Sequence, residues 1–185
     1  VIGASNGVYE SLDQGDTVKN AGPGIRVTNL TSNPVAYGGR SAVNGDNEWV
    51  IYAGDAFGNV HVRTTETGAF TTNIDVGSSV RDVRINPNEW MEAVAIDFNS
   101  VHWTDDAGDT WSAITGNLAA LGATTFRSLE YISSGIEGIV VGTNVGMFAT
   151  TIAARFPRNS HRQNHRVAES APRGPLAGCV RDLHS

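Results

Sequence analysis

The octapeptide TDDAGDTW at residues 104–111 recurs along the chain in altered copies. Residues 11–18 read SLDQGDTV and keep a hydroxyl residue, Asp, Gly and Thr at the same spacing, with Val in the last position. A degenerate copy, TTETGAF, begins at Thr64, and Thr150 stands where a fourth copy would begin. Successive copies start 53, 40 and 46 residues apart. A repeated unit of this length decides the architecture before any single polar residue does.

The sequence between the copies alternates in the manner of short β-strands separated by turn residues. Runs that predict strands lie at residues 79–85, 90–96, 100–104, 111–114, 126–132 and 138–141. The first four runs make one four-stranded unit, and no apolar stripe at helical spacing competes with them. The sequence therefore predicts an all-β fold, a β-propeller segment of about three to four four-stranded antiparallel blades over residues 1–153.

A closed propeller usually contains about four to eight blades, so three to four are few for a closed ring. The chain also begins with Val1 inside a strand-like run, so we expect an incomplete propeller, a fragment of a larger protein. Open blade edges would favour self-association. An independent small sandwich built from the same hairpins is the alternative that the length allows.

The repeated octapeptide has the composition of a turn. An Asp in a tight turn accepts hydrogen bonds from nearby backbone amides, a Gly supplies a positive φ, and a Trp lays an apolar face between strands. We therefore predict structural roles, and no catalytic ones, for two sets of residues. They are Ser11, Asp13, Gly15 and Thr17 in the first copy and Thr104, Asp106, Gly108, Thr110 and Trp111 in the complete copy.

Residues 104–111 and 11–17 resemble the Asp-box, also called the BNR repeat. This motif occurs in sialidases, xyloglucan-active glycoside hydrolases, sortilin-type receptors and the photosystem II assembly factor. The resemblance covers about residues 1–152 and implies a propeller scaffold. It implies no particular reaction, because these proteins share a scaffold and differ in what they do.

A glycoside hydrolase needs two carboxyl groups that flank the scissile bond. The acids considered for that role are Asp55, Asp75, Asp82, Glu89, Glu92, Asp97, Glu130 and Glu137. The sequence places no two of them across a cleft. The run Arg84-Ile85-Asn86-Pro87 echoes the Arg-Ile-Pro motif of sialidases, but Asn86 interrupts it. His61 and His102 occupy matching hairpin positions, which favours scaffold roles. We predict no catalytic, cofactor-binding or metal-binding residue, and no cofactor.

The charge is divided along the chain. Residues 1–154 contain 7 Lys and Arg against 17 Asp and Glu, a net charge of −10 that argues against nucleic acid as a partner. A carbohydrate or protein ligand is compatible with it, and no segment is long and apolar enough to predict a membrane partner. Calcium at Asp105, Asp106 and Asp109 is a minority alternative, because no EF-hand pattern is present.

Residues 154–185 change in character. They are rich in Arg, His and Pro, they lack hydrophobic periodicity, and they predict a basic, disordered tail. A metal pair at His161 and His165 and a basic arm for an acidic partner are the functional alternatives. A reading frame lost after about Ala153 is another explanation of the abrupt change.

Three functions remain open at this point. The first is a non-catalytic scaffold or binding module of a larger protein, which we expect to be extracellular or periplasmic and bacterial. The second is a fragment of a xyloglucanase-like or sialidase-like glycoside hydrolase. The third is a partner binder of the receptor or photosystem-assembly type. The missing acid pair favours the first.

Overall fold

Short β-strands joined by tight turns account for the regular structure of this chain. The computed structural model describes residues 1–27, 34–133 and 136–152, which contain fourteen strands and a single 3₁₀ turn, Leu118–Leu121. No α-helix occurs among these residues, so the predicted all-β class is confirmed. The predicted tail, residues 154–185 with His161 and His165, lies outside the described residues.

The strands form four antiparallel sheets that follow one another along the chain. The first sheet contains β1 (Ile2–Ala4), β2 (Gly7–Glu10) and β3 (Lys19–Pro23). The second contains β4 (Val35–Gly39), β5 (Asn47–Gly54), β6 (Asn59–Arg63) and β7 (Thr71–Asp75). The third contains β8 (Asp82–Asn86), β9 (Glu89–Ile96), β10 (Val101–Thr104) and β11 (Ser112–Ala113). The fourth contains β12 (Phe126–Ile132), β13 (Gly138–Thr143) and β14 (Gly146–Thr151).

The position of the octapeptide identifies equivalent strands. Residues 104–111 join the third strand of the third sheet to its fourth, and residues 11–18 join β2 to β3. The three strands of the first sheet therefore correspond to the second, third and fourth strands of a full sheet. Because β14 contains Thr150, the fourth sheet corresponds to the first three. The predicted four-stranded antiparallel units are confirmed in the second and third sheets.

Each sheet is a meander, so its turns alternate between its two ends. The octapeptides and the turns between first and second strands lie at one end, which we call the box end. The turns between second and third strands, together with the segments that lead to the next sheet, lie at the other, which we call the connector end. At the connector end, the Val80 amide, in the segment before β8, donates to the Asp55 carbonyl in the turn of the second sheet at 3.0 Å, so neighbouring sheets lie close together there.

The core consists of apolar layers between neighbouring sheets, because alternate residues of each strand face opposite ways. One cluster, between the first and second sheets, comprises Val8, Ile25, Val27, Ile51 and Ala53. The next, between the second and third, comprises Val50, Tyr52, Val60, Val62, Val76, Val80, Val83, Ala93 and Ala95. A fully buried side chain of the Val or Ile kind contributes roughly 1.5–3 kcal/mol. The first and second sheets, and the second and third, are thus each held together by an apolar cluster of their own.

The first strands approach one another along the series, with β4 in contact with β8 and β8 in contact with β12. Two glycines permit the close approach of neighbouring sheets. A Cβ at Gly39 would lie 2.1 Å from Trp90 Cβ, and one at Gly54 would lie 2.3 Å from Val80 Cγ1. Any larger residue at either position would push the sheets apart.

Candidate functional site

The complete octapeptide is a closed set of hydrogen bonds around one carboxylate. Asp106 Oδ1 accepts from the Thr110 amide and from the Thr104 hydroxyl, both at 2.8 Å. Asp106 Oδ2 accepts from the Thr110 hydroxyl at 2.6 Å, and the Gly108 amide donates to Thr104 Oγ1 at 3.0 Å. Burial alone would raise the pKa of Asp106, but the hydrogen bonds from Thr110 and Thr104 hold it below its usual value. This carboxylate holds the turn.

The first copy has the same geometry although it is exposed. Asp13 accepts from the Thr17 amide at 2.9 Å, from the Thr17 hydroxyl at 2.5 Å and from the Ser11 hydroxyl at 2.9 Å. The Gly15 amide donates to Ser11 Oγ at 2.7 Å. The hydrogen bonds, foremost that from the Thr17 hydroxyl, lower the pKa of Asp13 to about 2.

Two successive residues in each turn have a positive φ. Gly15 and Gly108 have φ values of +103° and +87°, as the sequence predicts for these glycines. The residues before them, Gln14 and Ala107, have φ values of 60° and 59°, which the sequence did not suggest. A side chain in this region of φ is strained by about 1 kcal/mol or more. The hydrogen bonds of the carboxylate offset that strain.

The aromatic position of the octapeptide connects the turn to the core. Trp111 packs against the cluster between the second and third sheets, edge-on to Tyr52 with ring centroids 6.5 Å apart. Its Nε1 donates to the Gly108 carbonyl at 3.1 Å. In the degenerate copy, which begins at Thr64, Phe70 packs against the cluster between the first and second sheets. Val18, at this position in the first copy, is exposed.

At the connector end, Asp55 organises the turn between β5 and β6. Its Oδ1 accepts from the amides of Phe57 and Asn59 at 2.9 and 2.8 Å. Its Oδ2 accepts from the Asn59 side chain at 2.9 Å and lies 3.0 Å from His61 Nε2. Burial alone would raise the pKa of Asp55, but the hydrogen bonds from Asn59 and His61 hold it below its usual value. A carboxylate has about four acceptor positions, and here all are used.

Asp97 organises the corresponding turn between β9 and β10. Its Oδ1 accepts from the amides of Asn99 and Ser100 at 2.9 and 2.5 Å and from the Ser100 hydroxyl at 2.7 Å. Its Oδ2 accepts from the Ser78 hydroxyl at 2.9 Å. Asp97 is nearly fully buried, and its acceptor positions are filled as those of Asp55 are.

The two matching histidines have different surroundings. His61 lies between Asp55 and Thr72, with Nδ1 2.8 Å from the Thr72 hydroxyl oxygen. A cleft of about 470 Å³ between the first two sheets adjoins Asp55, His61 and Thr72. His102 is paired across the sheet with Ala113, which has no hydroxyl, and burial lowers its pKa. Sequence reasoning missed the Thr72 contact because it joins residues from two strands.

Glu10 and Arg63 form a buried ion pair between the first and second sheets. Two guanidinium nitrogens of Arg63 donate to the two carboxylate oxygens of Glu10 at 2.9 and 2.7 Å. Both side chains are buried, and the hydrogen bonds from Arg63 hold the pKa of Glu10 below its usual value. The pair joins third strands whose residues are 53 positions apart, so no local pattern could predict it.

Two of the acids considered as catalytic are buried between the third and fourth sheets. Glu92 accepts from the side-chain amide of Asn86 at 2.8 Å and from the Tyr131 hydroxyl at 3.0 Å. Asp82 accepts from the Leu129 amide at 3.0 Å, and burial raises its pKa. Asn86, which interrupts the sialidase-like run, is itself fully buried. These acids join sheets.

The remaining acids are dispersed. Glu89 accepts from the Ser41 hydroxyl at 2.7 Å at the box end, and Asp75 accepts from the Gly77 amide at 2.7 Å at the connector end. Glu130 is 69 % exposed beside Arg84, and Glu137 directly precedes β13 at the box end. Within the described residues, the acids are thus spread over both ends and the contacts between sheets, and they do not gather around one cleft.

The two ends of the sheets differ in charge. The exposed acids of the box end are Asp13, Asp16, Asp46, Glu48, Glu66, Asp105 and Asp109. The exposed basic residues there are Lys19 and Arg40. At the connector end, Asp55 and Asp97 are buried within their turns, and the exposed charged residues are Asp75, Arg26 and Arg127. The box end is therefore strongly negative.

Neither the structure nor comparison with known proteins assigns a metal site, a membrane span or a family to this chain. The part of the chain that the structure describes has no group of three or more His, Cys, Asp or Glu side chains arranged to hold a metal ion. In the same part, no helix has the length and hydrophobicity that crossing a membrane would require. No protein-family model matches this sequence, and no curated protein is significantly similar to it.

Proposed function

We propose that this chain is a non-catalytic β-propeller scaffold or binding module of a larger protein. Its repeated antiparallel meanders, the first three of which are separated by apolar layers, support this proposal. The contacts of the first strands β4, β8 and β12 with one another support it too, because blades converge at their first strands. The resemblance of the octapeptides to Asp-boxes also favours an extracellular or periplasmic protein.

The hydrogen bonding of the turn carboxylates is the observation that argues against a catalytic role. Asp55 and Asp97 occupy equivalent turns at one end of neighbouring sheets, where a catalytic pair would have to be exposed. Each has its acceptor positions filled by donors of its own turn and neighbouring segments. A general acid or nucleophile must instead face its substrate. These carboxylates therefore suit a scaffold better than a glycosidase.

Hydrolysis assays test the proposal against a glycoside hydrolase. We expect the purified chain to release no product from chromogenic glycosides or xyloglucan above the rate in buffer. The variants Asp55→Asn and Glu92→Gln serve as probes, and we expect both to change stability only. Turnover by the wild-type chain that either variant abolishes would overturn the proposal and identify a carboxylate of the catalytic pair.

A further inference from the structure

Backbone hydrogen bonds tie the connector end of each sheet to the next. The Ala56 amide, in the turn between β5 and β6, donates to the Arg26 carbonyl at 2.9 Å. On the other side of the same turn, the Val80 amide donates to the Asp55 carbonyl at 3.0 Å. The segment that contains Arg26, the turn of the second sheet and the segment that leads into β8 are therefore immediate neighbours.

The same linkage continues one sheet further. The Phe126 amide donates to the Phe98 carbonyl at 2.8 Å, just as the Val80 amide donates to the preceding turn. Val80 and Phe126 are each followed by an arginine, Arg81 and Arg127, so these two arginines occupy equivalent positions. The repeat thus brings the arginines of successive sheets to one end of the molecule.

Two of these arginines stack on exposed phenylalanines. The guanidinium carbon of Arg26 lies 5.8 Å from the ring centroid of Phe57, and that of Arg81 lies 4.7 Å from the ring centroid of Phe98. Phe57 is 62 % exposed and Phe98 is 43 % exposed. A guanidinium that stacks through its face keeps its in-plane N–H groups directed at acceptors, and one of those of Arg81 donates to the Phe126 carbonyl at 3.3 Å. We call these four residues and Arg127 the Arg–Phe rim.

The rim combines guanidinium donors with exposed aromatic surface. The carboxylates next to it, Asp55 and Asp97, have their acceptor positions filled. Asp75 is an exposed carboxylate at the same end, and the Gly77 amide caps it. A ligand with carboxylates and apolar side chains complements guanidinium groups that lie beside exposed aromatic rings.

We propose that the Arg–Phe rim docks an acidic polypeptide segment that carries apolar side chains. Its carboxylates pair with Arg26, Arg81 and Arg127, and its apolar side chains cover Phe57 and Phe98. Arginine and aromatic residues, phenylalanine among them, are enriched in protein interfaces relative to the rest of the surface. Three of the seven basic residues of 1–154 lie on the rim of an otherwise acidic body. This inference rests on the proposed function as a binding module and names the partner's chemistry.

Fluorescence anisotropy with synthetic peptides tests the rim. The probe is a labelled 12-residue peptide of Glu, Asp and Leu, and its counterpart replaces every acid by Gln or Asn. We expect saturable binding of the acidic peptide at low salt and at least tenfold weaker binding of the amide counterpart. Binding should weaken as sodium chloride rises to 300 mM, because salt screens exposed charge pairs.

Paired variants locate the binding site. We expect Arg26→Gln combined with Arg81→Gln to weaken binding of the acidic peptide at least tenfold, and Phe57→Ala combined with Phe98→Ala to do the same. Arg40→Gln is the matched control, because Arg40 is an exposed arginine at the box end, and it should bind as the wild type does. Circular dichroism spectra and melting midpoints verify that each variant is folded.

Three outcomes would overturn the inference. They are no binding of the acidic peptide at low salt, equal binding by the rim variants, and displacement of the peptide by oligogalacturonate at equal concentration. The last outcome would assign the rim to an acidic polysaccharide. None of these three outcomes involves glycoside hydrolysis. Failure of the rim proposal can therefore be told apart from failure of the proposed non-catalytic module, which turnover in the hydrolysis assay would overturn.

Discussion

At the scale of the residue, Asp106 shows how one carboxylate can hold a turn. It accepts three hydrogen bonds from Thr104 and Thr110, two of them from hydroxyls. We expect Asp106→Ala to lower the free energy of unfolding by about 1–3 kcal/mol, because the donors lose their acceptor and the hydrogen bonds no longer stabilise the strained turn. Urea denaturation measures this. Asp105→Ala, an exposed neighbour, is the control, and an equal loss there would contradict the assigned role.

The carboxylates of the turns also predict how stability depends on pH. The pKa values of Asp13, Asp55 and Asp106 are held below their usual value of 3.8, and that of Asp13 is about 2. Their stabilisation is fully present above about pH 5 and is lost as pH falls through the folded-state values. We expect urea midpoints to fall from pH 5 to pH 2, and to fall less in Asp106→Asn. A midpoint that stays constant would contradict this.

At the scale of the element, Glu10 and Arg63 join the first two sheets. We expect Glu10→Ala to cost about 3 kcal/mol, because it leaves a buried guanidinium without its carboxylate. Combining it with Arg63→Met should recover much of that loss, since the uncompensated charge is removed. Glu130→Ala is the control: its pairing with Arg84 is exposed and should be worth less than about 1 kcal/mol. Equal losses in the two single variants would refute the special role of the buried pair.

The elements also show what a sequence can and cannot predict. The strands at β9, β10 and β12 lie close to the predicted runs, because alternation and turn residues are local signals. The hydrogen bonds of Asp106 follow from residue types within a few positions. The partners of Glu10 and of Phe57 lie 53 and 31 positions away along the chain, so they follow from the packing of the sheets, which local sequence patterns do not reveal.

At the scale of the whole molecule, the outer face of the fourth sheet bears on self-association. Met147, on the edge strand β14, is 81 % exposed. We expect the chain to associate at high concentration through this sheet and Met147→Glu to reduce that association. Sedimentation velocity over a range of concentrations measures it. Val43→Glu, at a similarly exposed site of the box end, should leave it unchanged, and a monomeric wild-type chain would refute the expectation.

The charge difference between the two ends gives the body of the protein an electric dipole. Its negative pole is the box end, so a cationic resin or sensor surface should capture the molecule by that end and leave the Arg–Phe rim in solution. Amine chemistry attaches in the same orientation through Lys19, the chain's one lysine, which stands at the start of β3 beside the first octapeptide. A label or linker placed there reports on the opposite end without covering it.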